Sequence, residues 1–230
     1  FDLIDFRRRE KPPYAILSHT WEEDNNEEVT FSDVMDGTGQ EKIGYRKLRF
    51  CGDQAARDRL EYFWVDTCCI DKSNSSEHTE AIILMFQWYQ KAAVCYAYLS
   101  NVSSEEKNSA HSKEWELQFK SSRWFNRGWT LQELIAPDIV QFFSKEWALL
   151  GDKHTLVQEV SDATGISIEA LQTKHIFQLS MQERISWTKH RNTTRPEDLA
   201  YSLQGILDVQ MLPNYGEGRE KAMLRLQEEF

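Results

Sequence analysis

The sequence predicts an α/β fold, a mostly parallel sheet flanked by helices, with a helical C-terminal extension. Three observations carry that expectation. Short runs of β-branched and aromatic residues alternate with amphipathic helical patterns, the runs are almost continuously apolar, and beyond about residue 150 they give way to helical patterns. Four runs read as strands: Tyr14–Ser18, Tyr62–Asp66, Ala93–Leu99 and Ile139–Phe143. A strand with one wet face alternates apolar and polar residues. Runs apolar on both faces belong in a parallel sheet covered by helices on each side.

The helical patterns fill the gaps. From Tyr45 to Leu60, the apolar residues Leu48, Cys51, Ala55 and Leu60 recur at helical spacing. From Ser76 to Lys91, the residues Ile82, Met85, Phe86 and Tyr89 form one stripe, the i, i+3, i+4, i+7 signature of an amphipathic helix. The preceding Ser73–Ser76 cluster supplies N-cap candidates. Strand–helix alternation of this kind builds a doubly wound sheet. Further on, Thr194–Glu197 reads as a capping box with Pro196 in the first turn, opening a helix with Leu199, Leu203, Ile206 and Leu207 inward. Residues 154–163, 179–190 and 216–230 also read as helical, and Val102–Lys113 as the most loop-like stretch. The expected organisation is a sheet core over 1–150 and a helical portion of the same domain over 151–230.

Composition excludes several functions. A length of 230 residues with 40% hydrophobic content supports one substantial core. A net charge of −10 argues against nucleic acid as the partner, because that affinity comes from clustered Lys and Arg displacing counterions. The Arg7-Arg8-Arg9 run reads as a short solvated segment. Cys51, Cys68, Cys69 and Cys95 form no Cys-x-x-Cys pair, which suits a reducing compartment. Charges follow the first five residues at once, so no signal-peptide pattern opens the chain. Lys91 interrupts the most apolar stretch, residues 81–100, so no membrane span is expected. The chain does not start with Met and is expected to be a piece of a longer, cytoplasmic protein. No metal is expected: His78-Thr79-Glu80 lacks the cysteine pair of a zinc deaminase. Gly37, Gly39, Gly216 and Gly218 read as turn residues rather than a phosphate loop.

In a doubly wound sheet, ligands bind beyond the carboxyl ends of the strands. That rule nominates Ser18, His19, Thr20 and Trp21 after the first strand, and Asp66, Thr67 and Cys68 after the second. A Cys68 or Cys69 thiol paired with His19 is one arrangement to weigh. A catalytic thiolate needs exposure and a depressed pKa, and small cysteines at a strand end are more often packing residues. The densest segment is Ser122–Leu134, with Trp124, Trp129, Arg123, Arg127 and Glu133. Spacing alone gives Trp129, Leu131 and Leu134 packing inward, and Glu133 capping a helix or facing Arg123 or Arg127.

Three blocks, Tyr14–Trp21, Trp64–Lys72 and Arg127–Glu133, resemble in order the signature blocks of the fungal heterokaryon-incompatibility (HET) domain. Arg195–Leu203, Tyr215–Gly218 and Leu226–Glu229 resemble its continuation. The resemblance implies a self-associating cell-death effector of non-self recognition, joined in its full-length chain to a nucleotide-binding oligomerisation region or another sensor. HET domains are in turn regarded as distant relatives of TIR domains, which implies a TIR-like, flavodoxin-like sheet. Ile16–His19 is similar to the first-strand block of a plant TIR. Ser122–Trp124 with Trp129–Leu134 is similar to the block carrying the catalytic glutamate of NAD-cleaving members. Extra residues separate its two halves here, and Thr130 stands where a cysteine would. The implied activity is NAD glycohydrolase, with Glu133 catalytic and NAD a substrate rather than a resident cofactor. Substrate contacts are then expected from Ser18, His19, Trp21, Asp66, Arg127 and Trp129. Trp21 or Trp129 would stack on a base, Arg127 would meet the pyrophosphate, and Asp66 would either bond a ribose hydroxyl or order residues 67–72. The alternative is a non-enzymatic module that signals by homotypic assembly.

Overall fold

Five strands form one sheet in the order β2-β1-β3-β4-β5, with β1 Tyr14–His19, β2 Tyr62–Trp64, β3 Val94–Tyr98, β4 Val140–Phe143 and β5 Leu149–Asp152. This computed structural model describes residues 1–6, 9–105, 112–173 and 175–230. Arg7 and Arg8 of the basic run, and residues 106–111 of the predicted loop, lie outside the described residues. The first four strands run parallel, and β5 pairs with β4 antiparallel. The order is that of a doubly wound sheet whose direction of winding reverses between β1 and β3.

Strand alternation sorts the core into two layers. Ala15, Leu17, Val94, Tyr96 and Tyr98 face Leu48, Phe50, Cys51 and Ala55 of helix α2 (Tyr45–Arg57), which follows a short α1 (Phe31–Asp36). Ile16, Cys95, Ala97, Val140 and Phe142 face the other way. They pack on α3 (Ser75–Lys91), α4 (Ser112–Lys120) and α5 (Thr130–Ile135). Successive side chains on a strand point to opposite faces, so each strand feeds both layers. Burying one large apolar side chain in such a layer contributes roughly 1.5–3 kcal/mol.

The helices start where their caps allow. Asn74 is the N-cap of α3, its side chain accepting from the backbone N–H of Ser76 at 3.1 Å and Glu77 at 3.3 Å. Thr30 and Asp33 form a reciprocal capping box on α1, and Lys42 reinforces Asp33 at 2.7 Å. The second layer continues into the C-terminal helices α6 (Val157–Thr164), α7 (Ile168–Gln172), α8 (Met181–Ser186), α9 (Asp198–Tyr201), α10 (Gln204–Leu207) and α11 (Arg219–Glu228). One apolar cluster runs from Ile16 of the sheet to Leu226 of α11.

Two sequence expectations are corrected here. Thr194 caps no helix: α9 starts at Asp198 with Glu197 at its N-cap, and the predicted single helix is split into α9 and α10. At that start the Glu197 carboxylate accepts from the backbone N–H of Gly216 and Gly218, both at 2.9 Å, and so ties the helix start to the loop before α11. The second is β5, which no strand-like run announced. Among the described residues, no helix is long and apolar enough to cross a membrane.

Candidate active site

Ser18 and His19 are neighbours at the carboxyl end of β1, so their side chains leave on opposite faces of the sheet. The residues nominated after the strands therefore gather in two polar clusters, one on each side of β1.

The first cluster surrounds Glu133. It lies in the first turn of α5 and is buried, at 7% exposure. The Ser18 hydroxyl donates to Glu133 Oε2. Trp124 Nε1 donates to Ser18 Oγ at 2.7 Å, which commits the serine hydrogen to the carboxylate. Tyr89 OH, within hydrogen-bonding reach of Glu133, also donates to the Leu17 carbonyl at 3.0 Å. Its hydrogen bond to Glu133 favours the ionised carboxylate, as does that of Ser18. Burial pushes the Glu133 carboxyl up to about 8, and the charge of Asp66 adds to the rise. The Ser18 hydrogen bond and the positive charge of Arg127 work against it. An acid poised near neutrality in a mostly apolar surround is the kind of group catalytic sites use.

The second cluster is built on Asp66. His19 Nε2 meets Asp66 Oδ1 at 3.1 Å, and Trp21 Nε1 donates to Oδ2 at 2.9 Å. Burial would raise this carboxyl, but the His19 hydrogen bond, the charge of Lys72 and the Trp21 N–H outweigh it and hold it well below the usual carboxylate range. Lys72 Nζ sits 3.8 Å above the centre of the Trp21 ring. Deeper in, Lys47 is buried and bridges Glu28 at 2.6 Å, Glu22 at 2.7 Å and the Thr20 carbonyl at 3.1 Å. This network fixes the chain between β1 and α1. His19 Nδ1 is 3.2 Å from the Thr20 carbonyl. With both ring nitrogens engaged by oxygen, His19 has none left for a thiol. Cys68 is buried, and the neighbouring Cys69 thiol and burial push it well up. Cys69 is only partly buried and is lowered by its hydrogen bond with Cys68, but the hydrogen bonds of His19 go to Thr20 and Asp66 and not to either thiol.

The two arginines flanking Glu133 behave differently from the capping expectation. Arg123 pairs with Glu23 at 3.2 Å and donates to Ser100 at 3.1 Å. Arg127 acts on Glu133 through its charge, while the hydrogen-bond partner is Ser18. Leu131 and Leu134 are fully buried, as the spacing predicts, but Trp129 is only partly buried and directs its indole to Asp198 of α9. Sequence reasoning missed Tyr89, Trp124, Lys72, Asp198 and Arg191. Tyr89 lay in a helical stripe that reads as packing, and Trp124 was noted without a partner. A cavity of about 720 Å³ lies elsewhere, at the amino end of β4, lined by Phe86, Ile139, Gln141, Lys153 and Phe177.

Residues 14–113 match the family whose description is heterokaryon incompatibility protein (HET). Over 219 residues the chain is 54% identical to vegetative incompatibility protein HET-E-1 of Podospora anserina, covering 95% of this chain and 16% of that protein. The chain belongs to the HET family. No solved structure matches it. Within this HET domain, the family match holds Ser18, His19, Trp21, Asp66 and Tyr89, whereas Glu133 and Arg191 fall beyond it. An alignment of 219 residues in a chain of 230 necessarily includes both. The chain spans only 16% of that curated relative, so the relative's other regions lie outside this comparison.

Proposed function

We propose that this domain is the effector of an incompatibility response, killing cells on contact with non-self by cleaving the nicotinamide–ribose bond of NAD when the domain assembles. The observation that carries the reading is Glu133, a carboxyl poised near neutrality at the carboxyl end of β1 and held by Ser18. The relative's name, vegetative incompatibility protein, supports the biological setting.

The chemistry asks little beyond a placed carboxylate. As the glycosidic bond breaks, its electron pair leaves with nicotinamide, which departs neutral because it is a cationic pyridinium in the substrate. Positive charge grows on the ribose ring, and water adds at the anomeric carbon and releases a proton. An ionised Glu133 beside that carbon stabilises the oxocarbenium charge and positions the water. Trp21 and Trp129 are partly exposed aromatic faces suited to stacking on a base, and Arg127 and Lys72 are cations suited to the pyrophosphate. Ser18 is fully buried and Glu133 nearly so, so substrate entry requires the loops over the two clusters to move. Assembly is the event we assign to that opening.

The test incubates the forcibly oligomerised domain with NAD and measures nicotinamide by chromatography. Release is expected, with at least a hundredfold loss in Glu133→Gln. If oligomers kill cells yet release no nicotinamide, the domain signals by assembly alone.

A further inference from the structure

Arg191 lies in the connection between α8 and α9, far in sequence from the Glu133 helix yet fastened to it. Asn192 N donates to the Asn126 carbonyl at 2.7 Å and Gly128 N to the Asn192 carbonyl at 2.8 Å, so residues 126–128 and 192 form a one-residue parallel bridge. Gly128 permits this approach: a Cβ there would stand 2.3 Å from Thr193 Cγ2. The bridge delivers Arg191, 3% exposed, to the start of α5. Its Nη1 donates to the Arg127 carbonyl at 2.7 Å and to Thr130 Oγ1 at 2.9 Å.

Nη2 is different. It is buried and has no hydrogen-bond partner among the described residues. Buried donors are almost always matched, and a buried cation without a counter-charge is costly. The carboxylate whose charge acts on Arg191 is Glu133. With Glu133 protonated, Arg191 is a buried cation held only by neutral oxygens. With Glu133 ionised, the two charges compensate.

We propose that Arg191 is a positioning residue for Glu133: Nη1 clamps the backbone where α5 begins, and the guanidinium charge stabilises the ionised carboxylate during turnover. The other groups acting on Glu133 are Ser18, Arg127 and Tyr89, which favour the ionised form, and Asp66, which opposes it; the charge of Glu133 in turn raises the buried Cys95 thiol. Arg191 is the buried cation of the pair, and the charge of Glu133 acts on it in return. The inference rests on Glu133 being the reacting group, but its test does not require activity.

The experiment follows Glu133 by carbon NMR in the domain labelled at its glutamate carboxyls, with the resonance assigned by its loss in Glu133→Gln. An opposite charge nearby moves a carboxyl by about 1–3 pH units. In Arg191→Met the Glu133 midpoint is expected to rise by about one unit or more. In Arg191→Lys, which keeps the charge but not the planar fork, it is expected to rise by less. An unchanged midpoint in a folded Arg191→Met domain overturns the proposal. Should that variant fail to fold, Arg191→Gln, which removes the charge but keeps a polar side chain, decides alone: a midpoint equal to wild type overturns the proposal and an upward one supports it. A displaced midpoint in a domain that never releases nicotinamide would leave the positioning role standing and remove the NAD reading.

Discussion

A carboxyl enclosed by Ser18, Tyr89 and apolar neighbours takes its charge state from its burial set against the hydrogen bonds it accepts. The Ser18 and Tyr89 hydrogen bonds favour an ionised Glu133, but burial outweighs them and favours the protonated acid. Glu133→Gln keeps the size and the acceptor for Ser18 while removing the buried charge. The sign of the effect on stability follows. Folding raises this carboxyl from 4.5 to about 8. Its protonated form therefore suits the folded state, and the wild type loses stability as pH rises from about 4.5 through 8. The loss is on the order of a few kcal/mol, at about 1.4 kcal/mol per unit. The glutamine variant is expected to match wild type near pH 5 and to melt several degrees higher at pH 8, as followed by circular dichroism. A melting difference that does not grow with pH would mean Glu133 is already ionised at pH 5. Cleavage by the wild type is expected to move the other way and rise between pH 7 and 9. Glu133 itself was legible only through resemblance, because its spacing alone pointed to a capping or arginine-paired carboxylate. Its true partner, Ser18, is 115 positions away, a distance that local patterns do not encode.

Elements were legible where a periodicity ran long enough to be read. Helix α3 and strands β1 and β3 lie within a residue or two of the boundaries the apolar runs predict. Strand β5 was not legible. It has four residues, it pairs antiparallel at the sheet edge, and it contains Gly151 at φ 149°. The α9–α10 break was invisible for another reason. Its apolar spacing fits one helix, and no local pattern marks the break between Tyr201 and Gln204. The same pair of short helices carries a sharp steric requirement. A Cβ at Gly205 of α10 would stand 2.1 Å from Phe86 Cβ of α3, so the two helices meet at van der Waals contact there. Gly205→Ala must push α10 off α3. A loss of about 1–3 kcal/mol, or more if the backbone cannot shift, is expected in urea unfolding. A gain in stability, as alanine gives in an open helix, would show that the contact is loose.

At the scale of the whole molecule, the sheet places its two polar clusters where doubly wound sheets place their ligand sites, at the carboxyl ends of β1 and β2, yet keeps Ser18 and Glu133 closed. Ser18 has no exposed surface, and both oxygens of Asp66 are engaged by His19 and Trp21. A site in this condition turns over only from a minor open state. Minor conformers a few kcal/mol above the ground state are populated at roughly 0.1–10%. Assembly that stabilises the open state then raises turnover per domain by at most the reciprocal of that fraction. Fusing the domain to a tetrameric coiled coil is therefore expected to raise nicotinamide release about 10- to 1,000-fold over the monomer at equal domain concentration. The gain should appear in KM at unchanged kcat, and so below saturation, because saturating substrate itself draws the closed domain into the open state. Equal rates per domain for monomer and tetramer would place the complete, open site in a single copy. Control by assembly would then have to lie in the rest of the protein rather than in this domain.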